Sequence, residues 1–226
     1  MKKRGTVLIM LAALLFMTNG TAQVQLGLQA GANFGNFKFD PEPDGFVIST
    51  RTGLVIGGIF SYNFSPMLAL QVEPAYVQKG GTTTLEETEE GMSIKIVGAT
   101  DAAYIDVPVY LKVVLADGSV QPYLLGGMYL AFLMGDAKFT VDEVTIDGVD
   151  YTSEFSDLLE EEVDATSTDY GIGVGGGVIF GVGSVNLFVE ALYNLGLANI
   201  NNDPDDDTTV KLSGFQIKGG VMFPLN

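Results

Sequence analysis

The chain has no cysteine, no histidine and no tryptophan, and it carries 11 lysine and arginine residues against 28 aspartate and glutamate. Each shortage excludes something. Without cysteine there is no disulfide scaffold, no thiolate metal site and no thiol to acylate in a lipoprotein. Without histidine the commonest general base is missing, and with it the Ser-His and Cys-His nucleophile pairs and His-ligated zinc. A formal charge of −17 argues against nucleic acid as a partner. After residue 22 no stretch reaches 18 consecutive apolar residues, so no membrane-spanning helix is expected there.

What is present is an unusual pairing of acidity and apolarity. Of 226 residues 47% are hydrophobic and only 17% charged, which is not the composition of a disordered acidic chain. Glycine, at 29 residues, is about twice its usual share. The first segment reads as an address. Met1-Lys2-Lys3-Arg4 is basic, Val7 to Met17 has no polar side chain, and Thr18 to Ala22 ends in small residues. That order is a secretory signal peptide, with cleavage expected after Ala22. The apolar run, at roughly 1.5 Å per helical residue, is too short for a bilayer core of about 30 Å. The expected division is 1–22 signal peptide and 23–226 one mature domain outside the cytoplasm.

The mature segment alternates with period two. Between 104 and 115, Ile105, Val107, Val109, Leu111, Val113 and Leu115 share one face, and Tyr104, Asp106, Pro108, Tyr110 and Lys112 the other. Strands of this kind are expected near 24–35, 50–63, 67–78, 104–115, 119–134, 170–180, 184–198 and 212–223. Their connections alternate in length. Phe64-Ser65-Pro66, Ala116-Asp117-Gly118 and Gly181-Val182-Gly183 are tight turns, whereas 36–48, 81–97, 135–167 and 199–210 are long and hold most of the acidic residues. The predicted fold is all-β: an eight-stranded antiparallel up-and-down transmembrane β-barrel with short periplasmic turns and long acidic extracellular loops.

Periodicity alone does not say which face of such a barrel is outside. A soluble barrel turns its apolar face inward, and a membrane barrel turns it outward. The length of the apolar faces fits a slab of about 25 Å. The alternate faces carry too few charges to solvate a free sheet, and no other anchor accompanies the leader. The membrane choice makes the mixed face the lumen, where Arg51, Glu73, Asp106, Lys112, Glu190 and Lys218 are expected to form a paired polar network. Eight strands leave room only for side chains, so a plugged barrel is expected. Gly171, Gly173, Gly175 and Gly177 form a lumen stripe that makes room for large side chains opposite or lets the strand coil. Pro74 and Pro108 fall mid-strand, where a bulge or a rim position is expected.

Four segments carry a resemblance: Tyr-Ile-Asp-Val-Pro-Val-Tyr-Leu-Lys at 104–112, Gln-Pro-Tyr-Leu-Leu-Gly-Gly at 121–127, Asp-Tyr-Gly-Ile-Gly-Val-Gly-Gly-Gly at 169–177, and Tyr-Asn-Leu-Gly-Leu-Ala-Asn-Ile at 193–200. In order and spacing the chain resembles the outer-membrane β-barrel "porin family" proteins of Bacteroidetes, PorT-like members included. The resemblance implies an eight-stranded outer-membrane barrel and no single activity. Barrels of this kind often end in an aromatic residue; here Phe223 is followed by Pro224-Leu225-Asn226, which weakens that assembly signal.

Chemistry is sparse. A carboxylate-only hydrolase on Glu73, Asp106 or Glu190 is the enzymatic reading, set against a structural salt-bridge network, which is favoured. Asp203, Asp205, Asp206 and Asp207 are a weak calcium candidate; Pro204 interrupts them and the calcium-loop spacing is absent. No cofactor is expected. The third long connection suggests a hairpin through Val141, Val144, Ile146, Val149 and Tyr151 with Asp147-Gly148 near its turn, and a short helical turn over 157–162. The leading expectation is a monomeric, non-enzymatic barrel with a structural or cell-surface interaction role. Its partners would be outer-membrane lipid, lipopolysaccharide and an extracellular or periplasmic protein. The alternatives are a narrow channel or small-solute and cation barrel, and a PorT-like secretion factor.

Overall fold

A computed structural model describes residues 23–225 apart from 44, 90, 156–160 and 204–206. The leader expected over 1–22 lies outside the described residues. Twelve strands form one antiparallel sheet: β1 (Gln23–Asp40), β2 (Phe46–Ser65), β3 (Leu68–Val72), β4 (Ala75–Glu89), β5 (Met92–Val114), β6 (Val120–Leu133), β7 (Ala137–Ile146), β8 (Val149–Asp150), β9 (Glu161–Val163), β10 (Thr168–Val182), β11 (Val185–Gly196) and β12 (Thr209–Leu225). A single helical turn, α1 (Thr152–Phe155), sits in the connection after β8. Eight staves close into a barrel in the order β1, β2, β3 with β4, β5, β6, β10, β11, β12. The seam is the longest ladder, running from Val24↔Leu225 to Asp40↔Thr209. All eight expected strands are staves of this ring.

The third stave is interrupted at Glu73-Pro74. Proline has no N–H to give a ladder, and Pro108 lies on the neighbouring stave at the same level. Yet the register is the same on both sides of the gap, Phe60↔Val72 and Gly57↔Ala75 on one edge and Val72↔Val109 and Ala75↔Asp106 on the other. The break is therefore neither the bulge nor the rim position that the prolines suggested. The Pro74 carbonyl still accepts from Gly58 N–H at 2.9 Å, and Glu73 N–H donates to the Pro108 carbonyl at 3.2 Å. Two donors are missing at one place, and the pairing passes through.

Two of the long connections are mostly strand. β1 runs on to Asp40, and β4 and β5 pair from Ala75↔Asp106 out to Glu89↔Met92. The outer part of β4, from Thr82 to Glu89, is rich in threonine and glutamate. β-branched threonine suits a strand, but with no hydrocarbon to face this run carries no apolar alternation, so the periodicity of β4 fades before the strand ends. Beyond Gly35↔Arg51, β1 and β2 part: β1 stays with β12, while β2 turns to β4. β7 then pairs β5 from Ile94↔Ile146 to Asp101↔Lys138. β2, β4, β5 and β7 thus rise above the ring as a four-stranded wing. Asp147 and Gly148, both at positive φ (49° and 78°), make the expected two-residue turn into β8. Asp147 also ties that turn to the start of β5, its carboxylate accepting from Ser93 N–H and its own N–H donating to Ser93 O, both at 2.8 Å. The helical turn lies earlier than expected, and most of 157–162 lies outside the described residues.

The faces settle the orientation. Leu28, Met128 and Val174, all outward, are 65, 68 and 63% exposed, while Glu73, Glu190 and Lys218, all inward, are 1, 1 and 3% exposed. Apolar side chains outside and charge inside is the reverse of a water-soluble barrel. Phe34, Phe215 and Tyr193 stand in register across β1, β12 and β11, an outward aromatic row near the long-loop end.

The glycine stripe of β10 makes room. A Cβ on Gly171 would lie 2.7 Å from the Tyr129 hydroxyl, one on Gly173 2.8 Å from that of Tyr110, and one on Gly177 2.6 Å from that of Tyr123. Three tyrosines lie against this bare wall. Gly126, by contrast, faces outward with nothing nearer than 3.8 Å. Gly177→Val is expected to lower the unfolding free energy by about 1–3 kcal/mol, whereas Gly126→Val leaves it within about 0.5 kcal/mol. Urea unfolding of the two variants in lipid vesicles checks the contrast.

A candidate functional site in the barrel lumen

The inward faces of the staves converge on two charge clusters. The first is built on Lys218. Its neighbour across the β11–β12 ladder is Glu190, and its ammonium lies 2.9 Å from Glu190 Oε1. From β12 it also reaches across the lumen to Glu73 Oε2, at the break in the third stave. Glu73 uses its other oxygen, Oε1, to accept from the Gln71 amide, and Gln71 Oε1 accepts from Lys112. Tyr123 donates to Glu190 Oε2 at 2.8 Å. Two carboxylates and two ammoniums are thereby chained through one glutamine, and Lys112 Nζ sits 5.5 Å over the Tyr123 ring.

The second cluster lies toward the long-loop end. Lys79 of β4 contacts Asp106 Oδ1 at 3.0 Å and Asp169 Oδ2 at 3.3 Å. Tyr129 donates to the same Asp169 oxygen at 3.2 Å. The Lys79 ammonium stands 4.8 Å from the ring centroids of both Tyr104 and Tyr129. One cation thus serves two carboxylates and two aromatic faces. All three charged groups are buried.

Five of the six expected network residues, Glu73, Asp106, Lys112, Glu190 and Lys218, lie in these clusters. Arg51 does not. Its odd parity puts it inward by expectation, but it sits in the last β1–β2 pair, opposite Gly35 at the foot of the wing, where β2 shifts register against β4 between Thr50 and Val55. There it bonds Asp101 at 2.6 Å and Asp142 at 3.1 Å and stays partly exposed. The hydrogen bond to Asp101 raises its pKa further above the ordinary arginine value. Its place in the lumen is taken by Lys79, and Asp169 joins as a fourth acid. Both lie one step beyond the strand limits read from the sequence, 67–78 and 170–180. Continuing the odd parity of Gln71 and Glu73 to 79, and the parity of Gly171 back to 169, would have found them.

Of the calcium candidates, Asp205 and Asp206 lie outside the described residues. Asp203 and Asp207 are described, and Asp203 N–H donates to Asn201 Oδ1 at 3.0 Å. Among the described residues no three acidic side chains gather as metal ligands would. In the wing, Glu143 is held below its ordinary pKa by hydrogen bonds from Lys95, at 3.0 and 3.1 Å, and from Thr145.

A closed antiparallel ring, lipid-compatible outside and charged inside, defines an outer-membrane β-barrel. The chain belongs to the family of the outer membrane protein beta-barrel domain, whose sequence profile matches residues 18–202. No curated protein matches it. Among solved structures it is similar to the outer membrane protein OprG of Pseudomonas aeruginosa, at 13% identity and TM-score 0.51, over 91% of this chain and 97% of that one. It is also similar to the outer membrane protease OmpT of Escherichia coli, at 9% identity and TM-score 0.52, over 93% and 100%. Neisserial surface protein A matches at 18% identity and TM-score 0.40, over 88% and 96%. At these identities the likeness is one of fold.

Removing the shared cation strands two buried carboxylates. Lys218→Met is expected to cost about 3–5 kcal/mol, and adding Glu73→Gln and Glu190→Gln to recover most of it. Arg51→Gln, which breaks a partly exposed pair, should cost about 1 kcal/mol or less. Urea unfolding in vesicles ranks the three.

Proposed function

We propose that this protein is a non-enzymatic, non-conducting barrel of the outer membrane that presents its wing at the cell surface. The observation that carries the reading is the lumen itself. Both charge clusters and the tyrosines Tyr104, Tyr110, Tyr123 and Tyr129 fill the cross-section that a channel would need open. The carboxylates considered for hydrolysis are committed in the same way: Glu73 and Glu190 share Lys218, and Asp106 is paired with Lys79. The chain has no histidine to act beside them.

The wing supports the interaction side of the reading. A four-stranded sheet stitched by Lys95–Glu143, Arg51–Asp101 and Arg51–Asp142 is a built surface, not slack connection. The short turns fit the periplasmic side, and the acidic wing fits the outside, among lipopolysaccharide and its divalent ions. Export would use the leader over 1–22, removed after Ala22, and the barrel would act as a monomer. The four segments that resemble Bacteroidetes porin-family proteins favour that origin. A PorT-like role in secretion is the second reading, resting on those segments alone.

In planar bilayers the purified protein is expected to give no stable conductance above background. Tyr110→Ala with Tyr123→Ala, which empties the space over Gly173 and Gly177, is expected to give steady openings. Stable channels from the unaltered protein would overturn the closed-lumen reading in favour of a narrow pore.

A further inference from the structure

Above the second charge cluster the described residues leave the barrel mouth unfilled. A cavity of about 440 Å³ opens there, within the size range of small-molecule sites. Its walls include Phe37, Phe39, Ile200, Val210 and Leu212, brought together where β1 stays with β12 and leans onto β4. Phe37 and Phe39 hold their rings 6.1 Å apart, tilted at 53°. Glu162 and Asp164 stand exposed on the rim, and none of the described lining residues is basic. Lys138, the cross-strand neighbour of Glu162, lines a separate hollow with Arg51 and Asp136. Tyr104 also lines the cavity. It is wholly buried, and its hydroxyl has no hydrogen-bond partner among the described residues. A buried hydroxyl left unpaired is costly, so a site that keeps one against an open cavity is suited to a guest that supplies the partner.

We propose that this mouth cavity binds a small organic ammonium ion with an apolar body. The apolar walls take the body. The Phe37 and Phe39 rings offer their negative faces to the cation, and Glu162 and Asp164 supply the opposite charge at the entrance. Anions are repelled by the same rim, and a neutral apolar molecule gains the walls but not the charge. The inference goes beyond the surface-interaction reading, and it concerns a different part of the molecule from the wing.

The test uses the full barrel in lipid nanodiscs, titrated with benzylammonium, whose N–H groups can donate to the Tyr104 oxygen, and followed by saturation-transfer NMR, with empty nanodiscs as the blank. Saturable binding with Kd of about 1 mM or tighter is expected, with benzyl alcohol at least about fivefold weaker and benzenesulfonate not bound. Ala102→Phe, which fills the cavity, should abolish binding. Should that variant not fold, as read by its heat-dependent gel shift, the exposed pair Glu162→Gln with Asp164→Asn decides: binding should weaken about fivefold or more and lose its salt dependence. Non-saturable uptake equal to empty nanodiscs overturns the proposal. So does equal binding of cation and sulfonate, or unchanged binding in the charge-neutral pair. Conductance of the barrel is read separately, so failure here leaves the closed-lumen reading standing.

Discussion

Lys218 lies between Glu73 and Glu190 in a space with no bulk water to share their charge, and much of the barrel is arranged around satisfying that contact. Ions taken from water into a low-dielectric interior cost several kcal/mol each unless partners meet them. The partners here come from far apart in the chain. Glu73 is 145 residues from Lys218 and arrives at the break in the third stave, where two prolines have already surrendered ladder donors. The contact therefore exists only once the ring is closed. That makes charge pairing a check on closure, since a misregistered seam would leave ions buried without partners.

The same economy of space explains the glycines. A ring of eight staves encloses little room, and the charged groups need bulky donors beside them. Tyr123 and Tyr129 donate to Glu190 and Asp169. Their rings fit because β10 presents bare backbone opposite. Tyrosine on β5 and β6 and glycine on β10 are thus two halves of one packing solution. Outside the ring the demand reverses: lipid asks for no pairing, and the charges of the wing stand in water, where pairs such as Lys95–Glu143 contribute little individually.

Much of this was legible in the residues. Alternation gave all eight staves, and the parity of Glu73, Asp106, Lys112, Glu190 and Lys218 placed them inward. Two things were hidden, for physical reasons. Strand length was underread because above the membrane a strand needs no apolar face, so the threonine-rich run after Lys79 carries no lipid signal. Partner choice was hidden because parity states which side a residue faces but not its height. Arg51 and Lys79 share odd parity, yet only Lys79 stands level with Asp106 and Asp169; β2 shifts register between Thr50 and Val55, and Arg51 turns to Asp101, on the face of β5 opposite Asp106. The mouth cavity was invisible for a related reason, since Phe37, Ile200 and Leu212 meet only through the lean of β1.

The account rests on which side of the sheet meets hydrocarbon. The chain has no cysteine, so single spin labels can be placed without background. Leu28→Cys, Met128→Cys and Val174→Cys, labelled in reconstituted vesicles, report collision with oxygen, which concentrates in lipid, and with a nickel chelate, which stays in water. Oxygen is expected to dominate at all three positions. Dominant nickel collision at these positions would mean that the apolar face meets water, and would contradict the account.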